Sequence, residues 1–111
     1  MKVNKFLIIG IFIGVLIVHH SNIFAANGER IFKELGCNAC HNLKEDTFAP
    51  ALKSISKAYK NKKESLVKYL KGEAKAIVDP DREDFMKPYI NQTKNLKNKD
   101  LEKLVDYLLS S

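Results

Sequence analysis

The run "LGCNACHNL", Leu35 to Leu43, holds both cysteines of the chain, Cys37 and Cys40, with His41 directly after the second. Four chemistries use two thiols at this spacing. A tetrahedral zinc site needs four nitrogen or sulfur ligands, and the chain's other histidines, His19 and His20, lie in a leader expected to be removed. The ligand count excludes zinc. A redox dithiol sits at a strand-to-helix junction of a βαβ unit, and no strand pattern accompanies these residues. A structural disulfide closing so small a loop gains little entropy and leaves His41 without a task. These two readings stay open but weak. The fourth, C-x-x-C-H, is the signal for covalent haem attachment. On a helical turn, residues i, i+3 and i+4 share a face, so both thiols can add to the vinyl groups of one haem while His41 reaches its iron. Each residue then has its own role, and this reading is favoured.

The opposite side of the iron needs a donor as well. With His19, His20 and Met1 gone, His41 is the last histidine and Met86 the last methionine. A lone methionine is ordinarily a flexible core filler, but Met86 lies between Pro80 and Pro88 beside Lys87, a poor place for packing. It is expected to be the axial thioether ligand. Pro88 should stiffen the segment, and Lys87, preceding a proline, is expected to be extended.

The elements that must position these groups read as helices. Ile31, Phe32 and Leu35 recur at helical spacing ahead of Gly36, which can end a helix in the left-handed conformation. The stretch "NLKEDTFAP" reads as a loop ending at Pro50, after which Leu52, Ile55 and Tyr59 mark a second helix. Leu66, Val67 and Leu70 mark a third, stopped by Gly72. From Glu73 to Asn95 periodicity fails, and a long functional loop is expected. Leu101, Leu104, Val105, Leu108 and Leu109 mark the last helix, with Asn98 as its cap and Asp100 in its first turn. The fold class is all-α, with about four short helices.

The N-terminus carries Lys2 and Lys5, an apolar run of thirteen residues from Phe6 to Val18, a polar break and then small residues. That is the layout of a secretory signal peptide and is too short for a bilayer span of about 20 residues. Cleavage is expected after Ala25, with Ala26 the second choice, giving a leader over 1–25 and one domain over 26–111. An uncleaved anchor is the alternative; in either case the domain lies outside the cytoplasmic membrane. Removing 25 of the 111 residues leaves 86, with 17 basic and 13 acidic side chains and a net charge of +4. The charges are mixed rather than blocked, which argues against a nucleic-acid arm. So short a chain buries a modest core and needs help to be stable; a haem supplies it.

Taken together, residues Gly28 to Leu109 resemble a class I cytochrome c of the small bacterial type. The resemblance rests on Cys37, Cys40 and His41 after a short helix, a proline nine residues beyond His41, a methionine 45 residues beyond it, and a C-terminal amphipathic helix. It implies a small cytochrome c fold wrapped around one haem c bound through Cys37 and Cys40, with His41 and Met86 as axial ligands. It further implies that the Pro50 carbonyl accepts a hydrogen bond from His41, and that Gly28 and Phe32 pack against Tyr107. Ala49 where the family often has glycine, and Met-Lys-Pro in place of the commoner Met-Pro, are departures. The implied role is that of a monomeric periplasmic one-electron carrier, not an enzyme, working between a quinol–cytochrome c reductase and a terminal oxidase or peroxidase. Lysines such as Lys44, Lys53, Lys57 and Lys87 could steer an acidic partner or could merely solubilise helices. A haem-based sensor module and a haem subunit of a periplasmic dehydrogenase are the alternative roles.

Overall fold

The computed structural model describes residues 22–111, so the expected leader lies outside the described residues apart from its last few positions. The described residues contain five α-helices and no strand: α1 (Asn22–Glu34), α2 (Leu52–Ala58), α3 (Lys63–Leu70), α4 (Lys87–Thr93) and α5 (Asn98–Leu109). Two 3₁₀ segments, Cys37–Ala39 and Pro80–Met86, complete the order. None of these helices is long and apolar enough to cross a membrane.

α1 buries Ile31 and Phe32 and turns its ion pairs outward, Glu29 with Lys33 at 2.9 Å and Arg30 with Glu34 at 2.8 Å. It crosses α5, which buries Leu101, Leu104, Val105 and Leu108. The crossing is close because position 28 has no side chain: a Cβ there would collide with the Lys103 carbonyl oxygen and lie 2.6 Å from Tyr107 Cβ. Phe32 then stacks at a tilt on Tyr107, ring centroids 5.4 Å apart. The implied packing of Gly28, Phe32 and Tyr107 is thus present.

α2 and α3 close the core from the other side with Leu52, Ile55, Tyr59, Leu66 and Leu70. Ser56 Oγ donates to the Leu109 carbonyl at 3.0 Å and Lys63 pairs with Asp106 at 2.7 Å, fixing both helices to α5. Gly36 (φ 78°) and Gly72 (φ 74°) adopt the left-handed conformation that ends α1 and α3, where glycine carries no Cβ penalty.

The long loop expected from Glu73 to Asn95 is corrected. It contains a 3₁₀ turn and the whole of α4. α4 has seven residues, too few for an apolar stripe to register in the sequence, and a hydroxyl takes the place of an apolar anchor. Thr93 is 2% exposed and its Oγ1 donates to the Leu70 carbonyl at 2.6 Å. Lys87 is helical (φ −52°, ψ −46°), not extended. Its N–H donates to the Asp84 carbonyl and its Nζ pairs with the Asp84 carboxylate at 2.7 Å, and these local bonds outweigh the steric push of Pro88. Asn98 is the first residue of α5 and not its cap; extended Lys97 holds that position without a side-chain bond. Asp100 does lie in the first turn.

Candidate cofactor site

Gly36 reverses the chain out of α1 and delivers it into the Cys37–Ala39 turn. The N–H groups of Cys40 and His41 both donate to the Cys37 carbonyl, at 3.3 and 3.0 Å. Both thiols and the imidazole therefore belong to one turn. Cys37, Cys40 and His41 line a cavity of about 230 Å³, and Pro50 and Met86 line the same cavity. All five residues singled out in the sequence are brought together.

His41 is oriented by two contacts. Its Nδ1–H donates to the Pro50 carbonyl at 2.7 Å, and its ring lies 6.5 Å from that of Phe32. A proton on Nδ1 leaves Nε2 with a free lone pair, the tautomer that can bind a metal. Pro50 is held in turn by the loop before it. The Leu52 and Lys53 N–H groups donate to the carbonyls of Asn42 and Leu43 at 2.8 and 3.1 Å. Asp46 accepts from the Ala51 N–H and from Ser54 Oγ, both at 2.8 Å, and these bonds hold its carboxyl below the usual carboxylate range.

The chemistry of the remaining wall suits a flat apolar cofactor. Ile55, Leu66, Leu70, Leu104 and Leu108 form the floor. Burial raises the Tyr59 hydroxyl, pushes that of Tyr69 up to about 12 and pushes the Cys37 thiol up to about 11. All three are neutral at pH 7. A protonated, half-buried Cys37 is also the opposite of the low-pKa thiolate that a redox dithiol requires. Among the described residues no group of three or more His, Cys, Asp or Glu side chains could hold a metal ion on its own. The fit is therefore to a bulky apolar group bound by two thiols and one imidazole.

Met86 stands where the Pro80–Met86 turn meets α4. Its turn is pinned by Glu83, whose carboxylate accepts from the Ala76 N–H at 2.9 Å, and the neighbouring Ile77 N–H donates to the Tyr59 hydroxyl at 3.3 Å. Arg82, Phe48 and Phe85 also line the cavity. Sequence reasoning missed Asp46, Arg82 and Glu83. Each acts on a backbone group outside its own turn, so no capping motif or periodicity flags it.

Comparison with known proteins agrees with this chemistry. A family profile described as Cytochrome c matches residues 25–111. Cytochrome c-552 of Hydrogenobacter thermophilus (strain DSM 6534 / IAM 12695 / TK-6) is 39% identical over 64 residues. That match covers 58% of this chain and 63% of the relative, so the chain spans less than two thirds of the relative's length.

Proposed function

Because the chain belongs to the cytochrome c family, with its haem c held through a cysteine pair, we propose that it is an exported one-electron carrier using His41 and Met86 as axial ligands. Cys37 and Cys40 form the two thioether links in this reading. The observation that carries it is the 2.7 Å bond from His41 Nδ1–H to the Pro50 carbonyl at a cavity that Met86 also lines. A bound haem supplies reversible one-electron exchange at its iron.

The residues determine how that exchange is used. The His41–Pro50 bond keeps Nε2 available and makes the imidazole a stronger donor. Met86 would hold the iron through its thioether, which would favour the ferrous state and raise the potential relative to a bis-histidine site. The leucines that line the cavity would oppose the extra charge of a ferric haem. Among the described residues His41 is the only histidine, and electron exchange is the role this reading assigns to the site. A quinol–cytochrome c reductase as donor and a terminal oxidase or peroxidase as acceptor, in the periplasm, fit the expected leader and the net positive charge.

One observation favours a second reading. Phe48 and Phe85 are 54% and 61% exposed at the cavity, an apolar patch that would suit a haem subunit lodged on a periplasmic dehydrogenase. Mass measurement of the protein purified from its native cell distinguishes a free carrier from a bound subunit.

The ligand assignment is tested by optical spectra of the purified holoprotein, oxidised and reduced. The expected result is a weak near-infrared sulfur-to-iron band in the oxidised wild type that disappears in Met86→Ala, with the covalently attached haem retained. A wild type without that band would overturn Met86 as ligand and bring the sensor reading forward.

A further inference from the structure

We propose that Arg82 is a positioning residue that clasps the turn carrying Met86 to the loop ending at Pro50, and so keeps the Met86 thioether in the cavity. The inference rests on the reading of Met86 as the iron ligand. Arg82 is the point where the Pro80–Met86 segment kinks (φ −113°, ψ 15°), dividing it into two short turns. From that kink its guanidinium works on two elements. Nη1 donates to the Phe48 carbonyl at 2.7 Å and Nε pairs with the Asp79 carboxylate at 2.9 Å. Its Cζ also lies over the Phe48 ring, 5.8 Å from the centroid.

The Phe48 ring in turn meets that of Phe85 edge-on at 5.0 Å, and Phe85 directly precedes Met86. The contact network thus spans the cavity: Asp79 and Phe85 on the Met86 side, Phe48 on the loop that presents Pro50 to His41. Of the other anchors, Glu83 bonds Ala76 and Thr93 bonds Leu70, both within the chain after α2, while the Ile77 N–H reaches the Tyr59 hydroxyl at the end of α2 and not the loop that carries Pro50. Arg82 and the aromatic pair it supports are the link between the loops that carry the proposed Met86 ligand and the His41 support.

Arginine is suited to this role and lysine is not. A fork with donors on two edges and a stacking face can satisfy a carbonyl, a carboxylate and a ring together, whereas an ammonium is a point charge. For Met86 to leave the iron its turn must swing outward, and the Arg82–Phe48 bond opposes that swing. The open fraction controls how well an outside ligand competes, because apparent affinity scales with the population of the competent state.

The test is imidazole titration of the oxidised holoprotein, following the sulfur-to-iron band, in wild type, Arg82→Ala and Arg82→Lys. Arg82 is half-exposed, which places its bonds at the weaker end of charge-assisted contacts and sets the expected gain in imidazole affinity at about tenfold for Arg82→Ala. Arg82→Lys should fall between that variant and wild type. Urea unfolding followed by far-ultraviolet circular dichroism should give nearly the same midpoint for all three. Unchanged imidazole affinity in Arg82→Ala overturns the clasp while leaving Met86 as ligand. A gain that merely tracks a drop in global stability also overturns it, since Arg82 would then act on the fold at large. A wild type that lacks the band overturns the ligand reading itself, and the clasp with it.

Discussion

Asp46 shows how a single exposed side chain acts at a distance on His41, the proposed iron ligand. Its carboxylate accepts from the Ala51 N–H and Ser54 Oγ at the start of α2, and that loop presents the Pro50 carbonyl to His41. Hydrogen bonds to the charged form lower its pKa below the usual carboxylate value. A carboxyl whose folded pKa is depressed adds stability above its unfolded pKa of about 3.9 and loses it as pH falls through the lower folded value. Asp46→Asn should therefore lower the urea midpoint at pH 6, with the gap from wild type narrowing toward pH 3. A gap that is constant across that range would remove the carboxylate from the account. Cys37, Cys40 and His41 are legible in the sequence because their spacing is local. Met86 emerges by elimination and Pro50 by resemblance. Asp46 and Arg82 are not legible, since Arg82 meets Phe48 across 34 positions of chain and neither side chain belongs to a local motif.

At the scale of elements, α2, α3 and α5 could be read from their apolar spacing because each buries two or more residues on one face. α4 could not be read. It is seven residues long, opens with Lys87-Pro88 and is secured chiefly through Thr93, whose hydroxyl carries no signal in a hydrophobic pattern. Propensity alone would not hold so short a helix in water. Its stability depends on the 2.6 Å bond from Thr93 Oγ1 to the Leu70 carbonyl, a group at the C-terminus of α3 that needs a donor. Thr93→Val keeps the shape and removes that donor. It should cost about 1–3 kcal/mol, and amide hydrogen exchange should quicken in α4 more than in α5. Equal acceleration throughout would mean that α4 opens only with the whole molecule.

The whole molecule is small for what it must hold together. Among the described residues twelve apolar ones are buried, and they come from α1, α2, α3 and α5 or their edges, with the cavity lined in part by the same side chains. An apolar cavity of about 230 Å³, were it to stay empty in a haem-free chain, would cost on the order of 5 kcal/mol at about 24 cal/mol per Å³. The net stability of a small domain is itself only about 5–15 kcal/mol. Partial collapse could recover some of that cost, but it would have to bring together walls fixed on one side by the α1–α5 crossing at Gly28 and on the other by the Thr93 anchor. The haem is thus both the working group and the missing piece of the core. Cys37→Ser/Cys40→Ser, which prevents covalent attachment, should yield a chain without haem that has lost most of its helical circular dichroism and shows no cooperative urea transition. A haem-free chain that keeps both would show that α1, α5 and the helices packed on them are stable without the cofactor. The cavity would then be a pocket in an independent scaffold, not the centre of a core built around its haem.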